Sequence, residues 1–321
     1  MDVNFVKIQQ IDQSFRFCYH YQLENHYLNE SVKASDILYP LILVKNLKFY
    51  VMDGHRRLTA AQVAGLNEVP AFVYDNQQIE AAFLIGLQAN LTNNDLTAIE
   101  KLRVYLIGKE HFSQATLKKV NQVLGIDRIA GLEQIAEYIL KYSLKIRQYL
   151  HRQNFSMRSL QQLLLYPMKE YHKWIMLGDS LNLKSVELLN ILEQVQDISI
   201  RDNLKPQILL NSMIVQEILK SGKTPQQKVQ ALKSAIFTMR FPLLNRIQKL
   251  VETEQKEIEK MLGPEVRLFW DQTLEKPGAL LQIMLNNQEQ VKKLMAKLMR
   301  PDVQDKINIL LDRINKLPED T

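Results

Sequence analysis

The sequence predicts an α+β chain: a small mixed sheet within residues 1–92, followed by an all-α remainder. Three observations carry this reading. The hydrophobic period alternates between strand and helix spacing up to about residue 77 and stays helical beyond it. Only 10 Gly and 10 Pro occur among 321 residues, too few for a turn-dense all-β chain. Hydrophobic residues make up 46% and charged residues 24%, enough to build a core and too apolar for a mainly disordered chain.

The elements follow in order. Residues 5–8 form a short apolar-alternating segment, and residues 21–34 place Leu23, Tyr27 and Leu28 at near-helical spacing. The period then changes. Leu41-Ile42-Leu43-Val44-Lys45 and Lys48-Phe49-Tyr50-Val51-Met52 are apolar, partly β-branched runs around a turn at Asn46-Leu47, which spells a hairpin. Asp53-Gly54 ends the second strand. Residues 55–64 read as a helix with Leu58, Ala61 and Ala64 on one face, stopped by Gly65 in the position that favours a left-handed cap. Val69-Pro70-Ala71-Phe72-Val73-Tyr74 returns as a strand. From Gln77 onward no segment reads as strand. Helical patterns occupy residues 79–90, 96–108, 114–124, 132–151, 157–165, 185–195, 204–219, 226–237 and 243–262, broken by Asn93-Asn94-Asp95, Gly125, Gly131 and several prolines. In the last of these, Leu243, Ile247, Leu250, Ile258 and Leu262 approach heptad spacing over too short a run for a firm coiled coil. The expected domains are 1–92, 93–200 and 201–321.

Charge is distributed unevenly along the chain. The net formal charge of +6 resolves into −4 for residues 1–100, +5 for 101–202 and +5 for 203–321. From Tyr138 to Lys169 there are six cations, Lys141, Lys145, Arg147, Arg152, Arg158 and Lys169, and no carboxylate. Tyr138, Tyr142, Tyr149, Phe155 and Tyr166 are interleaved with them. Such a stretch can neutralise phosphates while its rings pack or stack, which makes Lys141, Lys145, Arg147, Arg152 and Arg158 candidate DNA-backbone contacts. It can equally be a pair of amphipathic helices with aromatic cores and solvated cations. The single cysteine, Cys18, excludes an intrachain disulfide and a zinc site built on several thiolates. Cys18, His20 and His26 match no usual zinc spacing. No apolar run approaches ~18 residues and no basic flank precedes one at the N-terminus, so a cytoplasmic chain without membrane spans is expected.

The most chemically suggestive place is Met52-Asp53-Gly54-His55-Arg56-Arg57. A strand ends, a glycine turns the backbone, and a helix begins with outward amide N–H groups at its positive end, which together form an anion pocket. Arg56 and Arg57 in the first turn can clamp phosphate oxygens. The same residues also spell an ordinary helix start, with Asp53 as the cap and both arginines at the surface.

Several blocks in order resemble the N-terminal domain of the ParB/sulfiredoxin superfamily. They are Ser31-Val32-Lys33, Ile37-Leu38-Tyr39-Pro40-Leu41-Ile42-Leu43-Val44, Phe49-Tyr50-Val51-Met52-Asp53-Gly54-His55-Arg56-Arg57-Leu58-Thr59-Ala60-Ala61, and Ala64-Gly65-Leu66 with Val69-Pro70. Ala89-Asn90-Leu91-Thr92-Asn93-Asn94-Asp95-Leu96-Thr97-Ala98-Ile99-Glu100 is similar to the segment that follows in the family, and residues 154–164 loosely resemble later helices of ParB DNA-binding domains. The resemblance implies a DNA-binding protein with a nucleoside triphosphate on this turn: CTP, as in chromosome-partition members, or else ATP or ADP. Gly54, His55, Arg56 and Arg57 would then form the nucleotide site, and Asn90 would help hold Mg²⁺. The chain departs from the family pattern at Asp36, Tyr39, Thr59, Ala89 and Thr92-Asn93, and Ala89 replaces the carboxylate that partition members use in hydrolysis. His55 stands in the turn where sulfiredoxins carry their cysteine. Free-serine kinases of the ParB-like group share a similar turn, so a phosphotransferase with Glu24 or Glu30 as base is an alternative, as is an inactive interaction module. A helix-turn-helix can be placed within residues 113–149, but its second helix begins with an acidic face. The C-terminal helices are expected to serve a homodimer or another partner.

Overall fold

A computed structural model describes residues 2–93, 96–285 and 287–315; Asn94 and Asp95, part of the family-like segment, lie outside the described residues. The chain divides into two compact units, Met1–Gln230 and Ala231–Thr321.

The first unit begins with a four-stranded sheet in the order β1-β4-β2-β3, from β1 (Asn4–Lys7), β2 (Leu41–Lys45), β3 (Phe49–Asp53) and β4 (Glu68–Asp75). β2 pairs antiparallel with β3 and parallel with β4, which pairs antiparallel with β1, so the sheet is mixed as expected. Residues 41–44 of β2 are all buried, as a central strand covered on both faces requires. Helices α1 (His26–Ser35) and α2 (His55–Ala64) pack on each other, and Val32, Leu58 and Ala61 join Leu41, Leu43, Val51 and Val69 in one core. α1 starts later than its apolar spacing suggests because the Asn25 side chain accepts the Leu28 N–H and caps it there. Tyr21 consequently lies outside the helix, buried in a non-helical stretch.

α3 (Ile79–Asn93) packs on β2 and β3, and a helical assembly follows it: α4 (Ala98–His111), α5 (Gln114–Leu124), α6 (Leu132–Leu140), α7 (Leu144–Arg152), α8 (Met157–Gln162), α9 (Met168–Ser180), α10 (Ser185–Arg201), α11 (Pro206–Leu210) and α12 (Met213–Lys220). The expected single helix over 132–151 is two helices, because the Ser143 side chain caps a new start at Leu144. α9, absent from the helical patterns of the sequence, is anchored by Trp174, whose Nε1–H donates to the Pro206 carbonyl at 3.0 Å. Tyr149 donates to the Leu183 carbonyl at 2.8 Å, and Tyr142, Tyr149, Phe155 and Tyr166 are all buried. Four of the five rings interleaved with the basic residues are therefore core and present no stacking surface, while Tyr138 is half-buried with its hydroxyl donating to the Tyr166 carbonyl at 2.6 Å.

α13 (Pro225–Arg240) leads from the first unit into the second, where α14 (Pro242–Leu262), α15 (Gln288–Leu298) and α16 (Pro301–Asn315) accompany a hairpin of β5 (Val266–Trp270) and β6 (Ala279–Ile283). The α+β class stands, and the remainder is helical apart from this hairpin. Its Val-Arg-Leu-Phe-Trp run has strand chemistry and period 2, with Val266 and Leu268 facing the core. The buried stripe of α14 is Val251, Glu254, Ile258 and Leu262, whereas Leu243 and Leu250 of the near-heptad series are exposed. Trp270 donates to Gln255 Oε1 at 2.9 Å, tying β5 to α14. No helix among the described residues is long and apolar enough to cross a membrane.

Candidate functional site

The turn at Gly54 holds a left-handed backbone. Gly54 has φ +100° and is itself the N-cap of α2, so the Asp53 side chain does not cap the helix as one reading of the sequence expected. A Cβ at Gly54 would lie 2.8 Å from Leu41 Cγ on β2, which excludes side chains there on space as well as on φ. Leu58 N–H is the first to bond back, reaching the Gly54 carbonyl at 2.8 Å. The amides of His55, Arg56 and Arg57 precede that bond and have no intrahelical acceptor, which leaves a positive helix end.

Asp53 does different work. It is 8% exposed; its Oδ2 accepts from Arg57 Nη2 at 2.6 Å and its Oδ1 from Asn90 Nδ2 at 2.6 Å. Arg57 Nη1 also donates to the Tyr39 and Pro40 carbonyls, each at 2.8 Å, so three of its five N–H groups are committed and two are left for a ligand. Asn90 Nδ2 donates further to the Gly86 carbonyl at 2.9 Å, which uses both amide hydrogens and leaves Oδ1 as the atom able to meet a cation. Gly86 is needed because a Cβ there would lie 2.7 Å from Asp53 Cβ. Arg56 uses only its Nε, on the Gln22 carbonyl at 3.1 Å.

These groups line a cleft of about 570 Å³ that brings together Gly54, His55, Arg56, Arg57 and Asn90, with Ala89 also in its wall. The His55 ring is buried 5.9 Å from Phe15, and burial, with His20, Arg103 and Arg57 near, pushes its pKa down to about 3. It is neutral at neutral pH, so its backbone amide, not its ring charge, faces an anion. His20, which the sequence singled out only for metal spacing, also lines this cleft. Its Nδ1 lies 3.1 Å from Glu100 Oε1, while Glu100 Oε2 accepts from the Thr97 N–H at 3.0 Å and from its hydroxyl at 2.9 Å. Burial opposes the Glu100 charge, but the His20 and Thr97 hydrogen bonds prevail and hold its pKa below the usual range. Only the fold reveals this cluster, since its members are some 80 residues apart. Neither proposed kinase base lies in the cleft: Glu30 is exposed and bonds Lys33 on its own helix at 3.1 Å, and Glu24 lines a separate cleft.

The five candidate DNA contacts are not equivalent. Lys141 and Arg158 are exposed, and neither forms an ion pair among the described residues. Asp179 on α9 pairs with Arg152 and lies 3.9 Å from Lys145, so a stretch free of carboxylates in sequence acquires one in space. Arg147 is half-buried with its guanidinium 5.8 Å from the Tyr21 ring centre. On α6, Glu133 and Glu137 both bind Lys109, confirming the acidic face of that helix.

A mixed-sheet domain with a glycine-started helix opening on a cleft has the geometry in which free helix N–H groups can meet an anion. Residues 2–91 match the family model described as ParB N-terminal domain, so that part of the chain is a ParB-like domain. It is 28% identical over 244 residues to the chromosome-partitioning protein ParB of Myxococcus xanthus, covering 75% of this chain and 68% of that one. It is 42% identical over 81 residues to stage 0 sporulation protein J of Bacillus subtilis, and 40% identical over 103 residues to a probable plasmid-partitioning protein ParB of Thermus thermophilus. Those matches cover 24% and 32% of this chain but only 28% and 33% of the relatives. Among solved structures, a truncated Caulobacter crescentus ParB complexed to the centromeric parS site aligns over 60% of this chain and 99% of its own, at 18% identity and TM-score 0.31.

Proposed function

We propose that this ParB-like protein binds a nucleoside triphosphate, CTP in preference to ATP or ADP, in the α2 cleft and binds DNA through its central helices in a partition role. The observation that carries the reading is the start of α2 at Gly54, φ +100°, where unbonded amides and Arg56 open on a cleft of about 570 Å³. The donor set suits phosphate: backbone N–H groups, the terminal nitrogens of Arg56 and two N–H groups of Arg57. When bound, Mg²⁺ would neutralise phosphate charge. The residue present for it is Asn90 through Oδ1; Asp53, the nearby carboxylate, is occupied by Arg57 and Asn90. The names of the sequence relatives support the partition role, and exposed Lys141, Lys145 and Arg158 support phosphate-backbone contacts.

Calorimetric titration with CTP, ATP and ADP in Mg²⁺ tests the site. Wild type is expected to bind CTP most tightly and Arg56→Ala to weaken it about tenfold or more, the worth of one charge-assisted contact. Equal affinity in the variant, or no binding by wild type, removes the nucleotide reading.

A further inference from the structure

We propose that a second cleft, formed by the non-helical segment before α1 together with α4 and α7, is a binding site for a small phosphorylated anion, separate from the α2 cleft. This cleft encloses about 670 Å³, and Tyr21, Arg103 and Arg147 line it. The two guanidiniums come from helices far apart in sequence and converge on one ring: Arg103 lies 5.5 Å and Arg147 5.8 Å from the Tyr21 centre. Two like charges held together in a partly desolvated place repel each other unless an anion joins them. No ion pair is found for either arginine among the described residues, whereas Arg57, Arg152 and Arg201 each have a carboxylate.

The unmet hydrogen-bonding groups point the same way. Arg147 Nε is buried and has no hydrogen-bond partner, and the buried Tyr21 hydroxyl, with both guanidiniums beside it, has no acceptor for its own proton. Buried donors left unpaired are costly, and a charged one most of all. An oxyanion offers the acceptors that two guanidiniums and a phenol need, and arginine's planar fork matches phosphate oxygens. Tyr21 is 6% exposed and Arg147 half-buried, so the donors sit below the surface, where a small anion reaches them better than a rod-like duplex does. Glu24 is the one carboxylate in the lining, and it is exposed. His20 is the one residue common to the linings of this cleft and the α2 cleft.

The test uses the full chain and pyrophosphate as probe, with thermal melts and calorimetry on wild type, Arg103→Gln, Arg147→Gln, Tyr21→Phe and Arg56→Ala. Pyrophosphate is expected to raise the melting temperature more than chloride at equal ionic strength. Its affinity at this cleft should fall about tenfold in each of the two Gln variants and less in Tyr21→Phe, while in Arg56→Ala, which weakens only the α2 cleft, one pyrophosphate site of wild-type affinity should remain. Circular dichroism establishes that each variant is folded; if one is not, Arg147→Lys, which keeps the charge but loses the fork, should show an intermediate affinity. The site is disproved if wild type does not bind pyrophosphate, if Arg56→Ala alone abolishes binding, or if the Gln variants lose duplex-DNA binding while pyrophosphate affinity is unchanged. CTP binding that survives the Gln variants and fails in Arg56→Ala leaves the α2 reading intact whichever way this test falls.

Discussion

At the residue scale, Gly54 and Asp53 show how one turn combines a constraint with a network. Gly54 occupies a left-handed backbone and has no room for a methyl group, so Gly54→Ala should cost about 1–3 kcal/mol of stability. Urea unfolding checks this; a variant as stable as wild type would mean that β2 yields easily at Leu41. His55 supplies a pH prediction. Its folded pKa, about 3, lies below the 6.5 of an unperturbed histidine, so between those values the unfolded chain binds a proton that the native state refuses. Stability owed to His55 is therefore complete above about pH 6.5 and declines as pH falls. His111 and His151, also lowered by burial, act in the same direction. The stability difference between wild type and His55→Gln should shrink from pH 7 to pH 5 in urea titrations. A difference that stays constant would place the ring in contact with water.

At the element scale, what could be read from the sequence followed what neighbouring residues decide. The hairpin of β2 and β3, the helix at residues 55–64 and its Gly65 cap depend on short-range period and turn chemistry, and all three stand where expected. The turn was recognisable as a candidate anion site for the same reason. Its inner network was not, because Asp53 meets Asn90 across 37 residues and Arg57 reaches carbonyls 17 and 18 residues earlier. The break between α6 and α7 was hidden by apolar spacing that continues through Ser143. β5 and β6 were hidden by brevity, five residues each around a turn containing Pro277-Gly278. That hairpin leaves Phe269 49% and Leu280 65% exposed, and the two are register partners on its outer face.

At the scale of the whole molecule, charge is sorted by segment, and the net value of +6 conceals this. The sheet region is acidic overall yet places Arg56 and Arg57 at its cleft, while the helical stretches carry the excess of lysine and arginine. The proposed DNA binding through the central helices should weaken steeply with salt, and Lys141→Ala/Arg158→Ala should reduce the slope of log affinity against log salt by about 2. An unaltered slope would mean that the duplex contacts other cations.

Trp174 and Trp270, the only two tryptophans in the sequence, each donate a hydrogen bond within a different compact unit. The chain thus carries one indole chromophore per unit. In Trp270→Phe, intrinsic fluorescence reports on the first unit alone, and in Trp174→Phe on the second, so the order in which the two lose structure can be followed without an added label.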